Sequence, residues 1–178
     1  MVQRRGPSMS AVRRLTLLGG GAGGRRAFAA ANNPLAGALE ALRGSKSERT
    51  LLVTEAKGTT FLKPLDVYST PAMIWDMEWH VRDMVLAGLE ELEGWDSVGT
   101  RVVFDHTAAT VLGAEAYLVT EITDVDVERR RVTAITTFSD GLGELGRGTH
   151  ERAIVKLSKV NERVAARKQE LALAERTT

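Results

Sequence analysis

The 178-residue chain contains no cysteine. Disulfide bonds, thiolate nucleophiles and cysteine-based zinc or iron–sulfur sites are therefore excluded. Histidine is almost as scarce: His80, His106 and His150 are the only three, and their scattered positions lack the spacing of metal ligands. No apolar run approaches the roughly 18 residues that a membrane-spanning helix needs. We therefore expect neither a metal site nor a membrane segment.

Acidic residues are missing from positions 1–39, which carry six arginines. This composition, rich in Arg, Ala and Gly, is typical of an organellar transit peptide, and the glycines of Gly19–Gly24 argue against regular structure. A mis-assigned start, with Met9 as a second candidate, and a binding tail are the alternatives. We expect residues 1–47 to be a disordered basic extension that adds little stability. Localisation would be mitochondrial or otherwise organellar with a transit peptide, and cytoplasmic without one.

The rest of the chain predicts one strand, one long helix and then a run of strands. The helix is marked by an apolar stripe with three- and four-residue steps, whereas the strands alternate. This order indicates an α+β fold over residues 48–160, in which an antiparallel sheet wraps around one long central helix, as in the hotdog architecture. The predicted elements are a strand at Thr50–Glu55, the helix at Pro71–Glu93, strands at Gly99–His106, Glu115–Val125, Arg131–Phe138 and Gly148–Ser158, and a charged terminal helix from Asn161 within residues 161–178.

Three side chains in two short segments form a candidate catalytic group. Thr70 stands where the long helix starts, Glu78 two turns later, and His106 at the end of a strand. Each has an ordinary structural interpretation: Thr70 as the N-cap, Glu78 at the border of the apolar stripe and paired with Arg82, and His106 as a core residue. If the helix start and the strand end meet, the three could instead attack an acyl group, because a helix N-terminus stabilises developing negative charge.

The other two histidines are predicted to be structural. His150 and Arg152 alternate with Ala153 and Val155, so the apolar residues predict a core face that leaves His150 outside the core or at a subunit contact. His80 lies on the long helix and is interpreted as structural or interfacial.

Several motifs together resemble the hotdog thioesterases related to fluoroacetyl-CoA thioesterase. They are Ser69-Thr-Pro-Ala-Met with Met77-Glu78, Val98-Gly-Thr, His106-Thr-Ala-Ala-Thr, and Gly146-Arg-Gly-Thr-His-Glu-Arg152. Their order and spacing are specific, and the resemblance covers about residues 48–160.

The resemblance implies a homodimeric acyl-CoA thioesterase with Thr70, Glu78 and His106 as catalytic residues. Glu78 would attack the thioester carbonyl or activate water, His106 would assist proton transfer, and Thr70 would orient Glu78 or stabilise charge. Arg152 would anchor local structure or the coenzyme side of the cleft. Phe61 would contact substrate, because the family carries a phenylalanine-containing lid before the catalytic threonine.

The resemblance implies no cofactor beyond the coenzyme A of the substrate, and no nucleic-acid partner. The acyl group stays open, because the match is poor at residues 56–68. Two other functions are compatible with the sequence: a hotdog hydratase or dehydratase, and a catalytically silent subunit that binds acyl-CoA or serves in an assembly.

Overall fold

The computed structural model describes residues 33–59 and 66–176. Its helices and strands, in chain order, are α1 (Pro34–Leu42), β1 (Lys46–Leu52), α2 (Thr70–Gly88), β2 (Trp95–His106), β3 (Glu115–Asp126), β4 (Arg131–Ser139), β5 (Glu144–Lys156) and α3 (Leu157–Glu175). The strands form one antiparallel sheet in the order β1-β3-β4-β5-β2, so β1 and β2 are its edges. The predicted α+β architecture is confirmed. Within the described ranges, no helix is long and apolar enough to cross a membrane.

The helix α2 supplies one side of the core. Its apolar stripe packs on one face of the sheet. The predicted burial of Met73, Met77 and Val81 is confirmed, whereas Val102 is only partly buried. The contact with β5 is close: a Cβ added at Gly148 would lie 2.7 Å from Met77 Sδ. Glycine at this position therefore lets the helix rest directly on the strand.

The helix α2 begins and ends earlier than predicted. Ser69, not Thr70, is the N-cap, and its hydroxyl accepts a hydrogen bond from the Ala72 N–H at 3.3 Å. The hydroxyl of Thr70 is consequently not needed for capping. At the other end the helix stops at Gly88 instead of Glu93, and the chain turns through the buried Leu89 before β2.

The expectation that order begins near Glu48 is wrong. Residues 34–42 form α1, capped by the Asn33 side chain, and β1 already starts at Lys46. Leu39 and Leu42 are buried in the same core as α2. A Cβ on Gly88 would lie 2.4 Å from Leu42 Cδ2, so the absence of a side chain on α2 makes room for α1. The predicted transit peptide falls largely in residues 1–32, outside the described residues, and stays a prediction.

The face of β5 that points into the core is the opposite of the predicted one. His150 and Arg152 are buried, while Ala153 and Val155 are only partly so. The reason is α2, which covers the side of β5 that carries Gly148 and His150 and leaves Ala153 and Val155 on the outer face. The terminal helix also differs, because it continues from β5 at Leu157 and not from Asn161.

His80 joins the helix to three strands through a buried polar chain. Its Nε2 lies 3.0 Å from Ser47 Oγ on β1, and its Nδ1 lies 3.2 Å from Thr120 Oγ1 on β3. Thr120 in turn shares a 2.7 Å hydrogen bond with Thr136 Oγ1 on β4. Both ring nitrogens are satisfied by hydroxyls, so the neutral ring is well accommodated. The structural interpretation of His80 is confirmed.

This arrangement predicts a loss of stability in acid. Burial lowers the pKa of His80 from 6.5 to about 4, the positive charge of Arg49 lowers it further, and Asp83 opposes that effect. The unfolded ring therefore binds a proton below pH 6.5, but the folded ring only near pH 4. The contribution to stability is complete above about pH 6.5 and falls by about 3 kcal/mol as the pH drops to 4.

A His80→Gln variant, which keeps an amide donor and acceptor but does not titrate, should show a shallower decline in the free energy of unfolding. Urea unfolding at pH 4, 5, 6 and 7 measures it. His150 titrates in both proteins, so the informative quantity is the difference between the two slopes. Equal slopes would contradict a buried neutral His80.

Candidate active site

Thr70 and His106 lie together, as the sequence predicted. The hydroxyl Oγ1 of Thr70 is 2.7 Å from Nδ1 of His106, and both side chains are partly buried. They line an open pocket of about 280 Å³ with the small residues of the loop after β2, Thr107, Ala108 and Ala109. A hydroxyl and an imidazole in hydrogen-bond contact at the mouth of a pocket can pass a proton to or from a reacting group.

The approach of these residues is fixed by the chain on either side of them. Tyr68, which is fully buried, donates its hydroxyl proton to Asp76, six residues after Thr70 on α2, and Lys57 pairs with the same carboxylate. The Tyr68 N–H donates to the carbonyl of Thr110 at 2.9 Å. The segment entering α2 is thus tied to the loop that leaves β2, and this tie brings Thr70 beside His106.

Glu78 has different neighbours. Its Oε1 lies 3.3 Å from Nε2 of His150, and the side chain remains 36% exposed. A Cβ on Gly99 would be 2.8 Å from that carboxylate oxygen and 2.9 Å from the His150 nitrogen. Glycine at position 99 therefore allows the carboxylate to lie against the edge strand β2.

His150 is fully buried, so its predicted place outside the core is wrong. Burial lowers the pKa of its ring to about 4, and Arg152 lowers it further. The ring is therefore neutral at pH 7. Neither ring nitrogen has a hydrogen-bond partner within the described residues, although Nε2 points towards Glu78. A buried imidazole without a partner beside a carboxylate is unusual in a purely structural position.

Arg152 holds the framework behind Glu78. Its guanidinium donates to Ser97 Oγ and to the Ser97 carbonyl, both at 2.8 Å, and to the Glu78 carbonyl at 3.3 Å. Burial lowers the pKa of Arg152. These bonds link β5, β2 and α2 at one point. Ser97 and Gly99 were missed from the sequence; the Val98-Gly-Thr motif was the only signal near them.

The structure therefore brings two of the three predicted residues together and separates the third. Glu78 lies beside Gly99, whereas Thr70 contacts His106, seven positions later on the same strand. Thr70 and Glu78 are eight residues apart on α2, which is about 12 Å along the helix axis, so the Glu78 carboxylate does not meet the Thr70–His106 pair. Phe61 lies outside the described residues. Within residues 33–59 and 66–176, no group of three His, Asp or Glu side chains is placed to hold a metal ion.

Comparison with known proteins identifies the family. A family model described as FlK, fluoroacetyl-CoA-specific thioesterase, matches residues 50–158, more than half of the chain. The chain belongs to this family. The fluoroacetyl-CoA thioesterase of Streptantibioticus cattleyicolor is 38% identical over 99 residues, which make up 56% of this chain and 68% of that protein.

Solved structures agree. A variant of the fluoroacetyl-CoA thioesterase FlK in complex with acetyl-CoA superposes with a TM-score of 0.63 at 30% identity, covering 70% of this chain and 97% of that one. A hot-dog-like protein from Thermanaerovibrio acidaminovorans, 23% identical, gives a TM-score of 0.64 over 70% of this chain and 91% of its own. The predicted hotdog fold and the predicted thioester hydrolase activity are confirmed.

Proposed function

We propose that this thioesterase hydrolyses a small acyl-CoA at a site shared by two copies of the chain, in which Glu78 of one copy faces Thr70 and His106 of the other. The observation that carries the proposal is the separation of the two halves along β2. Within one copy, the carboxylate lies at Gly99 and the hydroxyl–imidazole pair at the other end of the strand.

Pairing of two β2 strands would close this gap. β2 is an edge of the sheet, so the outer side of its backbone is open to a second strand. An antiparallel pair with its two-fold axis between Val102 and Val103 sets Gly99 of one copy opposite His106 of the other. Each Glu78 is then carried to the opposite end of the neighbouring copy's β2, and one dimer contains two complete sites.

The flank of α2 beside this edge supports such a contact. Trp75 and Trp79 are 60% and 42% exposed and lie edge-on to each other. The next residue of the same stripe, Arg82, stacks on Trp79 and bonds Asp96 at the start of β2, which places the stripe on the side of the edge strand. Two exposed tryptophans beside an open strand edge are typical of an interface.

Sedimentation equilibrium should therefore report a dimer or a multiple of it. Trp79→Glu, which sets a carboxylate into the flank, should break the contact at β2 and lower the mass of the assembly. Thr123→Glu is the matched control, because Thr123 is exposed on β3, away from the β2 edge, and should leave the mass unchanged. A fully active monomer would contradict the shared site.

In the proposed reaction, Glu78 takes a proton from water as the water oxygen attacks the thioester carbonyl. If its own carboxylate attacks instead, the sulfur leaves as an anhydride forms on Glu78, and water then hydrolyses that anhydride to the free acid and the original carboxylate. The positive end of α2 and the Thr70 hydroxyl stabilise the negative charge that develops on the carbonyl oxygen. His106 supplies the proton that the departing sulfur needs, so the products are a free acid and coenzyme A. His150 and Arg152 hold Glu78 in place from behind.

The acyl group is proposed to be short, because the matching family is described as fluoroacetyl-CoA-specific and a related enzyme was solved in complex with acetyl-CoA. A panel of acetyl-, fluoroacetyl-, branched, aromatic and long-chain acyl-CoAs, followed by release of free thiol, tests this. The highest kcat/KM should fall among acyl groups of two to four carbons. No hydrolysis across the panel would contradict the proposal, and hydration of an enoyl-CoA instead would favour a hydratase.

The role of the Thr70 hydroxyl is separable from that of the helix cap. Thr70→Val should lower kcat roughly 10²-fold without loss of stability, because the hydroxyl is lost but Ser69 still caps α2. Thr70→Ser should retain most of the rate. Ser69→Ala should do the opposite, costing about 1 kcal/mol of stability while sparing kcat. If Thr70→Val keeps the wild-type rate, the hydroxyl has no catalytic role.

A further inference from the structure

The helix α3 leaves the domain with no buried residue along its 19 positions. Its first residue donates its backbone N–H to the carbonyl of Gly94. Two ion pairs, Lys159 to Glu162 and Arg167 to Glu170, lie within the helix. An isolated helix of this length is only marginally stable in water. A helix so exposed therefore needs a further stabilising contact to remain folded.

Three of the large apolar residues of α3 follow a seven-residue repeat, whereas Leu173 lies outside it. Leu157, Val164 and Leu171 are spaced by seven and are 41%, 48% and 50% exposed, and Val160 stands three after the first of them. These are the a and d positions of a coiled-coil seam, with Arg167 as the one charged residue at d. Such a seam is covered when it packs against a second helix of the same pattern.

Charge selects the partner and its direction. Arg163 and Glu170 occupy the g positions, and Lys168 and Glu175 the e positions. A parallel pair would set Arg163 against Lys168 of the second copy and Glu170 against Glu175, so both contacts would repel. An antiparallel pair sets Arg163 against Glu170 twice, and Lys168 meets only the neutral Asn161.

We propose that α3 pairs antiparallel with α3 of a second copy of this chain. In this register Val160 meets Leu171 of the second copy, and Val164 meets Arg167, whose aliphatic stem covers the seam while its guanidinium stays with Glu170. The contact is separate from the β2 edge, because α3 begins beside Trp95, at the far end of β2 from His106. It does not depend on the proposed reaction.

Distances between copies test the direction directly. Because the chain has no cysteine, Lys159→Cys, Ala166→Cys and Leu173→Cys each provide one thiol for a spin label, all on the outer side of the repeat. In the antiparallel pair the labels at 166 lie nearest the two-fold axis, and the two labels at 159, like the two at 173, are offset from each other along the helix axis by about 20 Å. The distance should thus be shortest at 166. Equal distances at all three positions would indicate a parallel pair and overturn the proposal.

Charge reversal gives an independent readout. In the Trp79→Glu background, in which the contact at β2 is broken, Arg163→Glu should weaken the association between copies about tenfold in sedimentation, since two attractive contacts become repulsive. The double variant Arg163→Glu/Glu170→Arg should restore it. Val164→Asp/Leu171→Asp should abolish the short distance at 166, whereas Gln169→Glu, on the outer face, should not. A strengthened association with Arg163→Glu, or capture of α3 by anionic vesicles without any inter-copy distance, would overturn the proposal.

Discussion

Glu78→Gln is expected to lower kcat on the best acyl-CoA by roughly 10²–10⁴-fold, the range typical of a lost acid–base group. The amide keeps the shape of the carboxylate, so the folded fraction and substrate binding should be unchanged. Single-turnover rates, divided by the folded fraction of the same preparation, measure the effect. A Glu78→Gln protein that is folded and turns over at the wild-type rate would remove the mechanism.

Mixing two inactive variants tests whether the site is shared. Glu78→Gln and His106→Ala should each be nearly inactive alone. When their subunits are exchanged, each mixed dimer carries one site with both substitutions and one site with neither. With random exchange about half of the dimers are mixed, so activity should return to about a quarter of wild type. No recovery, with exchange verified by mass, would show that each copy supplies its own complete site.

The same pair of substitutions in one chain supplies the complementary measurement. If Glu78 and His106 act on one substrate, Glu78→Gln/His106→Ala should be little worse than the more damaging single variant, because the residues act as a unit. When this double variant is mixed with wild type, each site of a mixed dimer contains one of the two substitutions. Mixing therefore creates no new complete site. It therefore controls for recovery caused by mixing itself.

The parts of the fold that could be predicted are the elements whose apolar residues follow a local helix or strand repeat. The apolar stripe identifies α2 as a helix, and the alternation identifies β3 and β4 as strands. Gly94, which precedes β2, and Arg130, between β3 and β4, mark turns and both have positive φ. The position of α1 could not be predicted in this way. Its sequence pattern is weak, and its position depends on α2, where Gly88 leaves room for Leu42.

The site was predictable where a motif places residues in contact and unpredictable where the fold decides. Thr70 and His106 meet because the segment that enters α2 is hydrogen-bonded to the loop that follows β2. The burial of His150 was missed because Ala153 and Val155 of β5 lie on its outer face, while α2 packs over the face that carries Gly148 and His150. The separation of Glu78 from His106 depends on how α2 crosses β2, which no spacing in the sequence records.

Leu39→Ala is expected to cost about 2–5 kcal/mol of unfolding free energy, the range for a fully buried leucine that leaves a cavity. The sequence alone suggested that residues up to 47 add little stability; their packing against α2 requires the opposite. Leu173→Ala is the matched control, because it makes the same change in a helix at a position that is 64% exposed, and it should shift stability by no more than about 0.5 kcal/mol. Urea unfolding of both variants at one protein concentration measures the difference, since self-association would otherwise alter apparent stability. Equal small losses would mean that α1 is not part of the core in solution. A large loss only for Leu39→Ala establishes that the folded domain begins with α1, more than ten residues before the expected start.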